Sequence, residues 1–335
     1  MQFTQQNLTA GVATTRSLVP VSSPLTPLDT IVSAFSLSTP HGRTIAYTAV
    51  YEGTSFATLN SARTFTGNED GKGSGLVCIK CPPDRYTVRL DAPGALKDIN
   101  SLSTFPIPSP TILFVKPEHT ISLTSSILNA SRSGSWLSGL GWRHKMAHAT
   151  EGFITKESLW DRLVFDAARV KVLGEGAGTL RALIATGGKF PSYKLCGVYL
   201  LQSTPGYTPA ETLAPTRIAF SIPYVNAVHS GLVCGPLFAS YPHDLQIHPL
   251  PEAGGEFENI AHVGAPTVSM EVKLVGVDDT AVEEGKDPVG EVYVRGPPTG
   301  TLLGEHNPNG ENWLSTGYRG KVQPNGCFKV VPHNK

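Results

Sequence analysis

The 335-residue chain is poor in charge: Asp, Glu, Lys and Arg make up 16% of it, against a usual ~25%. What charge there is balances, 27 basic residues against 27 acidic, and no run of one sign occurs. A balanced chain lacks the basic footprint of a nucleic-acid or anionic-lipid binder, so no nucleic-acid partner is expected. Long apolar runs are missing too. No window reaches the ~18 residues of a membrane span, and Met1–Ala10 is too polar for the core of a signal peptide. The expectation is a cytoplasmic protein without a transmembrane segment, at most peripheral on an intracellular membrane. Five cysteines are too few for a disulfide framework in a chain of this size. There is no G-x-S-x-G elbow, so an esterase reading has no anchor, and there is no internal repeat.

What the chain does have is glycine (34) and proline (27) among short apolar runs. That mixture predicts short strands joined by many turns. Thr4–Ser17 predicts a first helix, Asp29–Phe35 a strand, Ile45–Val50 a short helix and Ser55–Leu59 a strand. Asn68–Gly75 reads as an exposed loop; Leu76–Ile79 and Tyr86–Leu90 are short apolar runs. Thr111–Val115 predicts a buried strand between Pro110 and Pro117, and Glu118–Ala130 a helix, followed by Gly- and Ser-rich Ser131–Gly141. Thr155 predicts the cap of a helix Lys156–Leu173 that Gly174 ends. Trp160, Leu163, Val164, Ala167 and Ala168 share one face of it at helical spacing. Leu180–Thr186 then predicts a buried strand running into a Gly187-Gly188 turn. Helix, short loop, buried strand and glycine turn are the grammar of an α/β fold. The character changes near Pro223. Val268–Val277 alternates, and Gly290–Gly296 and Cys327–Val331 read as further strands of a β-rich part.

Several motifs invite chemistry that their context does not support. Gly71, Gly73 and Gly75, and then Gly174, Gly176 and Gly178, suggest phosphate loops. Both sets precede a strand, whereas a phosphate loop ends at a helix N-terminus; turns are the better reading. Cys78 and Cys81 form a C-x-x-C without the second ligand pair that a structural zinc needs. They also lie in a predicted strand, away from the helix N-terminus that activates redox thiols. His144, His148 and Glu151 fall on one helical face but lack the H-E-x-x-H pattern. No metal site is assigned; a metal or redox protein built on Cys78, Cys81, His144 and His148 is the remaining alternative of that kind.

Two C-terminal stretches are more specific. One is Val289-Gly290-Glu291-Val292-Tyr293-Val294-Arg295-Gly296-Pro297. The other is Trp313-Leu314-Ser315-Thr316-Gly317-Tyr318, followed by Asn325-Gly326-Cys327-Phe328-Lys329-Val330-Val331. By themselves they read as β-hairpins. In order and spacing they resemble the adenylate-forming (AMP-binding) superfamily, and within it the long-chain acyl-CoA synthetases. There the pattern runs G-E-[IV]-x-[IV]-R-G-P, W-x-x-T-G-D and G-x-[LF]-x-[IV]-x-D-R. Gln2–Leu8 is similar to the segment after the family's phosphate loop. Leu159-Trp160-Asp161-Arg162-Leu163-Val164-Phe165 is similar to a W-D-x-L-V-F segment. Leu183–Gly188 is similar to the strand and glycine turn that seat adenine and acyl group. Val263-Gly264-Ala265-Pro266 with Glu271-Val272-Lys273 is similar to V-G-x-P and E-x-K.

The resemblance implies a fold and an activity. The fold is a layered α/β body of the adenylate-forming N-terminal type over 1–220, then a β-rich subdomain over 221–335. The activity is that of a long-chain fatty acid–CoA ligase: a carboxylate attacks the α-phosphorus of ATP, and a thiol of coenzyme A then displaces AMP. It implies ATP/AMP, Mg²⁺ and CoA as cofactors and a fatty acyl substrate. It implies Thr186, Gly187, Gly188, Thr316, Gly317 and Tyr318 as cofactor-binding positions, with no residue assigned a catalytic role. The same pattern shows departures. The ribose-binding aspartate after Thr-Gly is Tyr318, and tyrosine cannot accept two hydrogen bonds from a diol in the same geometry as a carboxylate. The hinge Asp-Arg pair falls on Pro332 and His333. The Y-G-x-T-E region falls on Val225–Leu232, where neither the Tyr nor the Glu can be placed. The His of P-L-x-H falls on Thr39, with His41 two residues on. The phosphate loop would precede Met1 and the C-terminal lid would follow Lys335. The expectation is therefore a truncated or degenerate ligase. The alternative is a non-catalytic module that uses the same cleft for an acyl group or a protein partner.

Overall fold

The computed structural model describes residues 1–58, 109–174, 176–189, 207–244, 255–302 and 313–333. The expectations for Asn68–Gly75, Leu76–Ile79, Tyr86–Leu90, Cys78 and Cys81 lie outside the described residues.

A seven-stranded sheet forms the body, in the order β2-β1-β3-β4-β5-β6-β7. Its strands are β1 (Thr30–Ser33), β2 (Ser55–Thr58), β3 (Ile112–Val115), β4 (Ala182–Lys189), β5 (Tyr224–Ser230), β6 (Pro236–Ala239) and β7 (Ala265–Pro266). The first five are parallel, and β6 and β7 are antiparallel additions. Parallel strands are covered on both faces, which explains why Ile112–Val115 is apolar throughout and fully buried. Ile112 and Phe114 point to one face with Ile31, Ile45, Ile184 and Val225. Leu113 and Val115 point to the other with Leu123, Ile127, Leu183 and Phe220.

Helices α1 (Gln5–Arg16) and α2 (Pro40–Glu52) begin on side-chain caps. Thr4 forms a reciprocal capping box with Asn7. Thr39 accepts from the Gly42 amide at 3.1 Å, with Pro40 in the first turn. The second helix therefore starts well before the predicted Ile45. On the opposite side, α3 spans Pro117–Gly134 and α4 spans Ser138–Thr150. Most of Ser131–Gly141 is thus helical, because serine and glycine only weaken a helix that packing holds.

The predicted helix Lys156–Leu173 starts later and differs in register. Ser158, not Thr155, caps it, accepting from the Asp161 amide at 3.2 Å. A π-turn over Asp161–Phe165 leads into α5 (Asp166–Leu173). The buried face is Asp161, Val164, Phe165, Ala168 and Arg169, while Leu163 is exposed. A single turn α6 (Gly176–Thr179) then precedes β4, and α7 (Leu213–Phe220) precedes β5. The Gly187-Gly188 pair lies inside β4 rather than in a turn after it.

A second, antiparallel sheet has the order β11-β10-β9-β8: β8 (Glu271–Val275), β9 (Val289–Arg295), β10 (Leu314–Val322) and β11 (Phe328–Pro332). A one-turn helix α8 (Asp279–Glu283) follows β8. The change of sheet falls after Pro266. Past the composition shift near Pro223, β5, β6 and β7 still belong to the larger sheet, and the strands turn antiparallel at β6. Val228, Phe238, Val263, Val292, Tyr318 and Phe328 form one core between the sheets. Among the described residues no helix is long and apolar enough to cross a membrane.

Candidate functional site

In the order β2-β1-β3-β4-β5, strands are added to one side of β1 and then to the other side of it. Open parallel sheets of this kind hold ligands at the carboxyl ends of their strands, in the crevice where that order reverses. Phe35 follows β1 there, Lys116 follows β3, and Thr186–Gly188 and His229 end β4 and β5. The ring of His41, from the first turn of α2, stacks on His229 at 4.8 Å between centroids. Phe35 meets both rings edge-on, at 4.8 and 5.6 Å. Thr39, where the family pattern would put its histidine, serves as a helix cap, and His41 lies two residues further along.

His41 and His229 are buried, and neither ring nitrogen of His41 has a hydrogen-bond partner. Burial, and then the charge of His229, hold the His41 imidazole well below its ordinary 6.5. Burial brings His229 down to about 4; the Gly187 carbonyl opposes that shift and the Lys116 ammonium adds to it. His229 Nδ1 lies 2.9 Å from the Gly187 oxygen. A carbonyl can only accept, so the proton of the neutral ring sits on Nδ1. Thr186 Oγ1 is buried without a partner. Buried polar atoms without a partner are groups that a ligand could satisfy.

The two halves of the sequence-predicted site meet through His229. Gly187 contacts its ring, and Tyr318 Oη donates to its main-chain oxygen at 3.0 Å. The bulge between β9 and β10 aims Tyr318 inward. Gly317 adopts a left-handed φ of 68°, and the register slips between Ser315 and Arg319. Thr316 is turned away into the small sheet, donating to the Val292 carbonyl at 2.8 Å. His333, at the hinge position of the pattern, donates its amide to Gly317 and contacts Glu291 at 3.2 Å.

Gly188 is also required by packing. A Cβ there would lie 2.4 Å from the His229 carbonyl oxygen and 2.7 Å from its Nδ1. Gly188→Ala must push β4 and β5 apart, at an expected cost of about 1–3 kcal/mol. Urea unfolding measures this; a change below ~0.5 kcal/mol would mean the strands have room to spare.

Of the other candidates, His144 and His148 lie 4.1 Å apart between ring centroids on α4, with Glu151 at its C-cap. Gly174 ends α5, and Gly176 and Gly178 lie in the one-turn α6 that precedes β4.

No family model matches the chain. A human long-chain-fatty-acid–CoA ligase is 27% identical over 214 residues, covering 60% of this chain and 24% of that protein. The chain thus spans about a quarter of that relative. The unliganded o-succinylbenzoate coenzyme A synthetase of Bacillus subtilis superposes with a TM-score of 0.50 at 13% identity. It covers 98% of this chain and 46% of its own. A coronafacic acid ligase from Pectobacterium brasiliense gives 0.49 at 14% identity, covering 98% and 43%.

Proposed function

We propose that this chain, which is adenylate-forming and acyl-CoA-ligase-like in sequence and fold, keeps the family's acyl cradle but has a dismantled grip on the nucleotide. The acyl group proposed is a long-chain fatty acyl group, in keeping with the human relative. It would lie at the carboxyl edge near Thr186, Gly187 and Gly188, against the neutral rings of Phe35, His41 and His229. Apolar walls with a few unsatisfied polar atoms suit such a ligand.

One observation carries the second half of the reading. At the position of the ribose-binding aspartate stands Tyr318, only 3% exposed, with its hydroxyl donating to the His229 carbonyl. A carboxylate there would accept from both ribose hydroxyls. Charge-assisted bonds are worth roughly 1.5–3 kcal/mol each, so two of them correspond to roughly 10²–10⁴ in ATP affinity. Tyr318 does not fit that role, and no step through ATP, Mg²⁺ or CoA is derived from these residues.

The test is calorimetric titration of the purified chain with ATP and Mg²⁺, beside an acyl-CoA assay and displacement of a fluorescent fatty acid. The expected result is fatty-acid binding with ATP affinity at least roughly a hundredfold below that of an intact ligase. Turnover near the usual ~10 s⁻¹ would overturn the degenerate reading. Absence of fatty-acid binding would overturn the acyl reading.

A further inference from the structure

The seam between the two sheets carries a constellation that the carboxyl-edge site does not use. Asp244 closes a turn after β6, its amide donating to the Tyr241 carbonyl at 2.9 Å. His262 lies in the segment entering β7. Asn226 Nδ2 donates to its carbonyl at 2.8 Å, and the Ala261 amide donates to Thr208 at 3.0 Å. Cys327 occupies the turn before β11. Its neighbour Phe328 exchanges backbone hydrogen bonds with the His262 side of the seam: Val263 N to Phe328 O and Phe328 N to Gly264 O, both 2.8 Å. The main chain thus sets His262 and Cys327 face to face, whatever their side chains do.

We propose that Asp244, His262 and Cys327 form a mononuclear site for a borderline-soft divalent cation, zinc(II) first, that clamps the two sheets together. Their ligand atoms all lie within 4.8 Å of one another. Zinc bonds of about 2.0–2.3 Å in tetrahedral array put ligand atoms roughly 3.5 Å apart, so closure asks for about 1 Å of side-chain movement. The second observation is the imidazole itself. His262 is 6% exposed, neither ring nitrogen has a hydrogen-bond partner, and Nδ1 sits 3.9 Å from Asp244 Oδ2.

The donor set selects the ion. One nitrogen, one sulfur and one carboxylate oxygen suit zinc and exclude magnesium or calcium, which take oxygen alone. Two of the three ligands are anionic when bound, which offsets the dication and the repulsion of nearby Arg217 and Lys329. Metal ligation needs a neutral imidazole. Burial holds the His262 imidazole below its ordinary 6.5; Asp244 opposes that shift, and Arg217 and Lys329 add to it. Binding releases the Cys327 thiol proton to solvent. Three protein ligands leave the fourth position to water. Asp244 and Cys327 are partly exposed, which gives the ion a way in.

The experiment loads the full chain with zinc(II) or cobalt(II), dialyses it, and compares it with Cys327→Ser and Asp244→Asn. Cys78 and Cys81 can also take up metal, so the reading is the difference between parent and variant. The expected result is one equivalent more in the parent and a thiolate-to-cobalt charge-transfer band that Cys327→Ser abolishes. Affinity should fall at least the roughly 10–100-fold that even an outer-sphere partner is worth. Cys327 is half-exposed, so its serine variant should fold, which circular dichroism checks. Zinc should also raise the melting temperature of the parent and not of Cys327→Ser. Equal metal content in parent and Cys327→Ser, or an unchanged cobalt band, would overturn the proposal.

Discussion

Asp161→Asn will lower the folding free energy by about 3–5 kcal/mol, enough to unfold many domains of ordinary stability. Asp161 is fully buried and holds two cations, themselves 5% and 2% exposed. Its Oδ2 accepts from Lys145 Nζ at 2.6 Å and from Ser158 at 2.6 Å; its Oδ1 lies 2.8 Å from Arg169. Those cations tie three helices together. Lys145 comes from α4 and also donates to the Thr155 carbonyl at 2.5 Å. Arg169, on α5, donates to the Ala219 carbonyl at 2.6 Å and to Ser221 Oγ at 2.8 Å, beyond α7. Asparagine keeps the shape and removes the charge, leaving two buried cations to be balanced by dipoles and by the half-exposed Asp166.

The pH dependence identifies the mechanism. Burial already holds Lys145 below its ordinary 10.5, with Asp161 opposing the shift. Without Asp161 it falls further. A base whose folded value is depressed binds fewer protons than the unfolded chain, so stability rises with pH between the two values. The deficit of Asp161→Asn should therefore shrink from neutral pH towards pH 10, and adding Lys145→Met should recover part of it. Strict additivity in urea unfolding would show that Asp161 acts through packing alone.

This triad also marks where sequence reading stopped. Periodicity placed Trp160, Leu163 and Ala167 on the inner face because it sends charges outward, yet Asp161 and Arg169 are inside and Leu163 is out. Nothing local tells a buried, mutually neutralising pair from a solvated one. The strands around Thr111–Val115 and Leu180–Thr186 were legible because parallel central strands must be apolar on both faces. Gly187 and Gly188 looked like punctuation, but the approach of β5 to Gly188 is a tertiary fact. The motif order from Gly290 to Val331 located Tyr318. Only the fold brings it to His229, 89 residues away, and stacks His41 on the same ring.

That stack makes the protein acid-labile well above the carboxylate range. His229 titrates near 6.5 in the unfolded chain and about 4 in the fold. A folded value below the unfolded one means the unfolded chain binds more protons in between. The contribution is fully present above pH 6.5 and is lost as pH falls through about 4. For His229 alone this amounts to about 2 kcal/mol between pH 8 and pH 5 and about 3 kcal/mol by pH 4. His41 shifts in the same direction, its desolvation reinforced by the charge of His229. The paired carboxylates behave separately. Asp29, ion-paired with Arg181 at 2.8 Å, and Asp161 both titrate below the ordinary range. Their contributions are present above about pH 4 and go only as pH falls further. Unfolding free energy against pH should therefore begin to drop below pH 6.5, with a second loss below 4. His229, His119 and His262 are also lowered by burial and share this window; His41→Phe, which keeps an aromatic face against His229, should therefore reduce the first slope and leave the second. A profile level from pH 8 to pH 4.5 would mean that water or a counter-charge reaches these rings, and that the carboxyl edge is not the apolar surface on which the acyl reading rests.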